Sequence, residues 1–229
     1  MAIESLSWIA RDGEAPADEV AMKFYDAPAP SPRRVRIFLA EKGITLPTVQ
    51  VDLRHGEQFT EAFRAINPDC TVPVLELDDG TRIADAVGLC VYFEAARPAP
   101  PLMGSDPQSR AIIAAAQRRA EREGLSAVVE AFRNSTPGMK GRAIPGPDDY
   151  LQIPALAERG RARVLRFFET MEAELAGRAF VCGPDFSIAD ITTLVTVDFA
   201  KWIKLALPEG CVRLRRWHEA VSARPSAKA

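Results

Sequence analysis

Residues that could bind a ligand or take part in catalysis are concentrated between positions 67 and 85. The stretch Asn-Pro-Asp-Cys-Thr-Val-Pro-Val-Leu occupies 67–75, and Asp85 follows a few residues later. A proline entering a strand gives up a ladder hydrogen bond, so it is tolerated where the preceding backbone serves another purpose. A cis Val72-Pro73 bond would turn the N–H and C=O of Val72 towards a ligand, where they could pair with a peptide backbone. Asp85 can cap the next helix and can also accept a ligand ammonium group.

The hydrophobic pattern from Met22 onwards predicts the elements that position these residues. We expect strands at 22–25, 48–51, 72–77 and 81–83, and helices at 32–42, 57–66 and 85–96. Asp79-Gly80 between the last two strands is a strong hairpin signal. The order β-α-β-α-β-β-α predicts a thioredoxin-like domain, a mixed sheet with helices on both faces.

The second half of the chain predicts helices only. After the proline-rich stretch 97–105, helical periods occur at 109–132, 156–175, 187–204 and 212–223, with a Gly/Pro-rich excursion at 136–154. The fold class expected is therefore α/β followed by all-α. The domains are predicted at 22–97 (thioredoxin-like, βαβαββα) and 107–229 (all-helical), joined by a linker at 98–106. Residues 1–21 show no sustained period and are expected to form a poorly ordered leader.

Composition and charge exclude several classes of protein. The chain has 229 residues with 29 basic and 31 acidic side chains and a net charge of -2, which gives no electrostatic reason for a nucleic-acid or membrane partner. There is no apolar run of about 18 residues and no secretory signal. Four separated cysteines predict reduced thiols, and two lone histidines make no metal-ligand spacing. These features predict a cytoplasmic enzyme or binding protein.

Three motifs in combination resemble the cytosolic glutathione transferase family, over about residues 22–204. They are M-K-F-Y-D-A-P-A-P-S-P-R-R-V-R-I-F-L-A-E-K-G-I from Met22, V-P-V-L-E-L-D-D-G-T from Val72 and F-S-I-A-D from Phe186. The first is most similar to a bacterial and fungal branch of the family. The resemblance implies a detoxifying transferase that is a homodimer. It also implies glutathione as co-substrate, no permanently bound cofactor or metal, and a site for a hydrophobic electrophile against the helical domain.

The resemblance also implies which residues bind glutathione. Val72, before Pro73, matches the position that pairs with the cysteinyl backbone, and Thr71 lies beside it. Gln58 matches the polar position that holds the glycyl carboxylate. Asp85 matches an acidic position, usually Glu, that faces the γ-glutamyl amine.

The sequence departs from the family pattern at two positions next to these residues. Ala86 stands where the family typically has Ser, whose hydroxyl and amide hold the γ-glutamyl carboxylate. The lost donor to a charged acceptor is worth about 1.5–3 kcal/mol. Cys70 stands where the related pattern usually has Gly.

The group that would activate the glutathione thiol has three candidates. A thiol with a pKa of about 8.5 needs stabilisation as the thiolate at neutral pH, and a hydroxyl or amide dipole at a helix N-terminus supplies it. Ser31 is predicted to be the N-cap of the first helix, with Pro32 at its first position. Tyr25 in the first strand is the second candidate, and helix amides with a bound water are the third. The serine position of theta and zeta enzymes falls on Ala29, which has no hydroxyl.

Other polar residues are predicted to have structural roles. Arg33, Arg34 and Arg36 are expected on a solvated helix face, although one of them could pair with a glutathione carboxylate or across a dimer. Ser187 and Asp190 have the spacing of a capping box and are expected to matter for folding. His55 and His218 are expected to be an exposed loop residue and a surface or packing residue. The co-substrate pocket is assigned three candidate lining residues, Phe132, Arg133 and Tyr150.

Three functions are consistent with the sequence. The first is conjugation of the glutathione thiolate to an electrophilic, largely apolar small molecule. The second is a glutathione-dependent disulfide or peroxide reductase, for which Cys70 could form a mixed disulfide. The third is a non-catalytic binding protein, which Ala29 and Ala86 favour.

Overall fold

The N-terminal domain is built on a four-stranded mixed sheet. The computed structural model describes residues 22–229, so the predicted leader at 1–21 lies outside the described residues. The strand order is β2-β1-β3-β4, with β1 parallel to β2 and antiparallel to β3, which pairs antiparallel with β4. The thioredoxin-like order is confirmed. The elements are β1 (Lys23–Asp26), α1 (Pro30–Lys42), β2 (Thr48–Gln50), α2 (Glu61–Arg64), β3 (Val74–Glu76), β4 (Arg82–Ile83) and α3 (Ala86–Ala96).

Two local predictions in this domain have different outcomes. The hairpin is confirmed, since Gly80 has a φ of 82° between β3 and β4, a value that glycine adopts without steric cost. The single helix at 57–66 is wrong, because a 3₁₀ turn at Glu57–Phe59 is separated from α2 by Thr60. Thr60 has extended backbone and its hydroxyl accepts a hydrogen bond from the N–H of Phe63 at 3.2 Å, so it ends one element and caps the next.

The C-terminal domain is all-helical, as predicted. Its helices are α4 (Pro107–Arg119), α5 (Ser126–Ser135), α6 (Pro154–Glu174), α7 (Ile188–Ala200) and α8 (Val212–Ser222). The predicted helix at 109–132 contains a π-helical turn at Ala120–Leu125, between α4 and α5. A Cβ on Gly124 in this turn would lie 2.8 Å from the ring of Phe167 and 3.0 Å from Thr196. Glycine at this position therefore lets α6 and α7 pack closely against the π-helical turn.

Arginines of α1 connect the two domains. Arg33 donates to Asp198 of α7 at 2.8 Å, and Arg34 donates to Glu121 at 2.6 Å. Arg36 turns back to Asp26 of β1 in its own domain. The expectation of a solvated helix face is wrong, because α7 and the π-helical turn cover this side of α1 and supply the carboxylates.

Lys42, at the end of α1, holds the linker in place. Its side chain is 0% exposed, since Lys42 follows Val35 by seven residues and therefore lies on the buried face of the helix. The ammonium donates to the carbonyls of Arg97 at 2.8 Å, Pro98 at 3.3 Å and Pro100, and pairs with Glu94 at 2.5 Å. A buried cation requires such compensation. The proline-rich segment has few N–H groups that could satisfy its own carbonyls, so the ammonium of Lys42 serves as a shared donor to three of them.

The predicted capping box at the start of α7 is confirmed. The carboxylate of Asp190 accepts from the N–H and hydroxyl of Ser187, and it also accepts from the N–H of Val181 and the indole of Trp217. Asp190 is fully buried, so it links α7 to the preceding loop and to α8. Between residues 22 and 229, no helix is both long and apolar enough to cross a bilayer.

Candidate functional site

A large cavity lies between the two domains. Its volume is about 1040 Å³. One wall comes from the thioredoxin-like domain and the other from α5, α7 and the segment 136–153 that follows α5. The sequence-predicted site residues that line it are Ser31, Gln58, Thr71, Val72, Pro73, Asp85 and Ala86.

The loop before β3 presents free backbone groups to the cavity. The predicted cis bond between Val72 and Pro73 is confirmed. Neither the N–H nor the C=O of Val72 has a hydrogen-bond partner in the part of the chain that the structure describes. The amide of Asn67 steadies the loop by donating to the carbonyl and hydroxyl of Thr71 at 2.8 and 3.0 Å. The loop can therefore pair with an extended backbone as a sheet edge does.

The N-terminus of α3 also faces the cavity. Asp85 is its N-cap, as predicted, and accepts from the N–H of Gly88 at 2.7 Å. Its second carboxylate oxygen accepts no hydrogen bond within residues 22–229 and can meet a cation. The first N–H groups of a helix have no partner within the helix, so the amides of Ala86 and Val87 can bind an anion.

Gln58 provides a buried polar group on the same wall. It is only 6% exposed, and its Oε1 has no hydrogen-bond partner among the described residues. A buried acceptor without a partner is costly, so a ligand donor at this position would be favourable.

Ser31 lies at the cavity but does not cap α1. The N-cap is Ala29, and Pro30 is the first helical residue, so the prediction that Ser31 is the N-cap is wrong. The cause is the turn after β1, in which the N–H of Ala29 bonds to the carbonyl of Ala27 at 2.7 Å and sets the helix start.

Considering only residues 22–229, this register leaves a single free amide donor in the first turn of α1. Pro30 and Pro32 have no N–H, and the N–H of Arg33 donates to the carbonyl of Ala29 at 3.1 Å. The N–H of Ser31 has no acceptor among the described residues. Ser31 therefore offers both an amide and a hydroxyl to an anion in the cavity.

Tyr25 and Cys70 have different environments. Tyr25 is 8% exposed and does not line the cavity; its ring lies edge-to-face on Phe63, with centroids 6.3 Å apart. Burial, followed by the charge of Glu76, raises the pKa of its phenol. Cys70 lines the cavity, is 5% exposed and has a φ of 54°. This left-handed conformation explains why glycine is suited to the position.

The helical wall is aromatic. The rings of Phe132, Phe199 and Trp202 are in mutual contact, with centroids 5.1 to 5.7 Å apart. Of the predicted lining residues, Phe132 and Arg133 line the cavity and Tyr150 does not. Phe199 and Trp202 were missed, as were Leu125, Val129, Met139 and Arg142. Helical periodicity identifies a buried face but does not distinguish a cavity wall from a packed core.

The two histidines lie away from the cavity lining. His55 is on an exposed loop with its side chain 85% accessible, as predicted. His218 packs between α8 and α7, with Nε2 2.9 Å from a carboxylate oxygen of Asp198. Among residues 22–229, no group of three or more His, Cys, Asp or Glu side chains is arranged to hold a metal ion.

Comparison with known proteins gives consistent matches over both domains. The family models "Glutathione S-transferase, N-terminal domain" and "Glutathione S-transferase, C-terminal domain" match residues 29–96 and 154–220. Glutathione S-transferase 2 of Saccharomyces cerevisiae is 39% identical over 211 residues, which are 90% of this chain and 88% of the yeast protein. The crystal structure of Gtt2 from the same yeast superposes with a TM-score of 0.83 at 37% identity, covering 90% of this chain and 98% of that one. A glutathione S-transferase domain-containing protein from Marinobacter aquaeolei has a TM-score of 0.82 at 39% identity, covering 89% and 98%.

Proposed function

Because this chain belongs to the glutathione S-transferase family, we propose that it transfers the glutathione thiolate to an electrophilic, largely apolar small molecule. The observation that supports this most is the asymmetry of the cavity, which has polar groups and free backbone on one wall and aromatic rings on the other. A tripeptide fits the first wall and an apolar electrophile the second. In the reaction, the thiolate sulfur forms a bond to an electrophilic carbon, and a leaving group departs with its electron pair.

The groups on the thioredoxin-like wall match the charges and backbone of glutathione. Val72 pairs with the cysteinyl backbone, next to Thr71 and Pro73, because its N–H and C=O are free. Asp85 accepts the γ-glutamyl ammonium with its second oxygen, and the amide of Ala86 binds the γ-glutamyl carboxylate. Gln58 holds the glycyl end, where its carboxamide offers donors to the carboxylate and its buried Oε1 can accept from the glycyl N–H.

Ser31 holds the thiolate, with both its hydroxyl and its free N–H. The position at the start of α1 adds the positive end of the helix dipole, which favours an anion. Tyr25 is the weaker candidate because it packs against Phe63, outside the cavity lining, and its raised pKa makes the phenol no better a donor.

We expect Ser31→Ala to lower kcat/KM for the electrophile, measured with glutathione saturating, by about tenfold at neutral pH. Loss of the hydroxyl raises the pKa of the bound thiol by about one unit, so the thiolate fraction falls at pH values below that pKa. The pH midpoint of kcat/KM moves up accordingly, and the rates of the two proteins converge at alkaline pH. The measurement is steady-state conjugation to dinitrochlorobenzene between mildly acidic and alkaline pH. Ser31→Thr, which retains a hydroxyl, is the matched control.

An unchanged rate and an unchanged pH profile in Ser31→Ala would remove the side chain from the mechanism. The N–H of Ser31 with a bound water would then hold the thiolate. No saturable turnover of any glutathione-dependent substrate by the wild-type protein would favour the non-catalytic binding protein. Reduction of a mixed disulfide without conjugation would favour the reductase.

We expect Asp85→Asn to weaken glutathione binding by about tenfold, because the ammonium loses its charged partner. The asparagine oxygen still caps Gly88, so the thermal midpoint changes little. Asp85→Ala loses both interactions and lowers affinity and stability together. Calorimetric titration with glutathione, with thermal unfolding of each variant, separates the two effects.

Ala86→Ser is the opposite test of the same end of the site. A serine hydroxyl at the first position of α3 restores a donor to the γ-glutamyl carboxylate and tightens glutathione binding by about tenfold. Equal affinity in the wild-type, Asp85→Asn and Ala86→Ser proteins would show that this helix end does not bind the γ-glutamyl group.

The assembly and location follow the family resemblance. We propose a homodimer that acts in the cytoplasm and takes part in detoxification. Elution at the monomer mass in size-exclusion chromatography would overturn the dimer.

A further inference from the structure

Two arginines on the helical side of the cavity have no carboxylate partner among residues 22–229. Arg133 of α5 donates from Nη1 to the carbonyl of Arg142 at 2.7 Å, and Arg142 donates from Nη2 to the carbonyl of Gly138 at 2.9 Å. Neither forms an ion pair with any residue in the described range 22–229. By contrast, Arg34, also at the cavity, pairs with Glu121 at 2.6 Å.

Arg133 and Arg142 hold two positive charges close together in a partly buried environment. Arg133 is half-buried, and burial, followed by the nearby charge of Arg142, lowers the pKa of its guanidinium. The guanidinium of Arg142 lies over the ring of Phe59 on the opposite domain, 5.9 Å from its centroid. Carbonyl acceptors satisfy one nitrogen of each group and leave the others free, so each guanidinium retains donors for an anion.

Glutathione does not account for this positive charge. On the thioredoxin-like wall, Asp85 can meet its ammonium, and Gln58, the first amides of α3 and the exposed Arg54 can meet its two carboxylates. Two positive charges are then left over on the helical wall, next to the aromatic rings proposed to bind the electrophile.

We infer that the electrophile has an apolar body and a carboxylate or similar oxyanion, and that Arg133 and Arg142 bind this anionic group. The inference rests on the proposed transferase function and names the substrate class within it. The body lies against Phe132, Phe199 and Trp202, and the oxyanion accepts from the free guanidinium nitrogens. Such charge-assisted hydrogen bonds select an anionic molecule over a neutral one of the same shape.

A matched pair of electrophiles tests the inference. Chlorodinitrobenzoate and its carboxamide differ only in the charged group, and both react by forming the C–S bond at the ring carbon that loses chloride, while the thiol proton passes to solvent. The wild-type protein is expected to have a KM for the carboxylate about tenfold lower than for the carboxamide. Arg142→Gln and Arg133→Gln should each reduce this ratio to near one. Arg166→Gln, at an exposed position of α6, should retain it.

Several outcomes would overturn the anion site. One is an equal KM for the two electrophiles in the wild-type protein, and another is a retained preference in both cavity variants. A raised KM for glutathione with an unchanged carboxylate preference would assign the arginines to glutathione, which rejects the inference and leaves the transferase function intact.

A binding measurement separates failure of the inference from failure of the proposed function. If neither electrophile is turned over, turnover of dinitrochlorobenzene decides the transferase proposal. Calorimetry with the unreactive pair dinitrobenzoate and dinitrobenzamide still tests the anion site. A tenfold preference for the benzoate that Arg142→Gln abolishes supports the site. Equal binding of the two overturns it. Thermal unfolding shows whether each variant is folded.

Discussion

Replacing Lys42 with methionine is expected to lower the free energy of unfolding by about 4 kcal/mol. The substitution leaves the volume of the side chain nearly unchanged but removes the ammonium that pairs with Glu94. Three carbonyls of the proline-rich stretch 97–105, those of Arg97, Pro98 and Pro100, lose their donor at the same time. An unpaired buried charge and unsatisfied buried acceptors account for the expected loss. Urea unfolding with comparison of midpoints and slopes measures it.

The double variant Lys42→Met/Glu94→Gln distinguishes the charge from the linker contacts. Glutamine removes the orphaned charge and keeps an acceptor for the N–H of Met103, so part of the stability should return. Lys228→Met, at an exposed position, should change stability by less than about 0.5 kcal/mol. A loss of the same size in Lys228→Met and Lys42→Met would show that the buried ammonium makes no special contribution.

Asp190→Ala is expected to have a similarly large effect, a loss of about 4 kcal/mol and a fall of roughly 10 °C in Tm. Its carboxylate accepts from the N–H of Val181 at 2.8 Å, from the N–H and hydroxyl of Ser187 at 3.1 and 3.0 Å, and from the indole of Trp217 at 3.0 Å. Alanine leaves these donors unpaired at a fully buried position. Differential scanning calorimetry provides the measurement.

Two variants test the specificity of the Asp190 effect. Asp190→Asn keeps one acceptor oxygen but presents an NH₂ group to donors, so an intermediate loss of about 2 kcal/mol is expected. Asp185→Ala removes a carboxylate from the same loop at an exposed position and should be nearly neutral. At low temperature, the Asp190→Ala protein that remains folded should have the wild-type kcat, since Asp190 does not line the cavity. A selective loss of kcat in that folded protein would contradict a purely structural role.

Both stabilising residues act on helices that form the cavity. Lys42 is the last residue of α1, whose first turn carries Ser31 at the cavity. Asp190 lies in the first turn of α7, whose last turn carries Phe199 and is followed by Trp202. These buried polar contacts therefore stabilise the helices that carry the polar and aromatic walls.

Features that depend on neighbours along the chain could be predicted from the sequence. Asp85 caps the helix that it precedes, and Ser187 and Asp190 form their capping box. Each of these involves residues within a few positions of one another, so spacing and residue type specify the geometry. The thioredoxin-like order followed by helices was predictable for the same reason, since each element has its own period and its own start and stop signals.

The start of α1 shows where local reasoning stops. Serine before proline is a strong N-cap pattern, yet the helix begins at Pro30 because the turn after β1 places Ala29 in the cap conformation. The shift by two residues changes Ser31 from a cap into a residue with a free N–H and hydroxyl.

Only the tertiary structure determined which distant groups meet. Arg33 and Arg34 were expected on a solvated face, and nothing in the sequence near Lys42 identifies its partner, but each of the three finds a carboxylate more than 50 positions away. The same applies to Arg142, which crosses from the helical domain to Phe59. Periodicity along one helix contains no information about the carboxylate or ring that another element will bring to it. The sequence by itself therefore determined the order of the elements, the caps of α3 and α7 and the family resemblance, whereas the partners of long charged side chains and the composition of the cavity wall were decided by packing between remote segments.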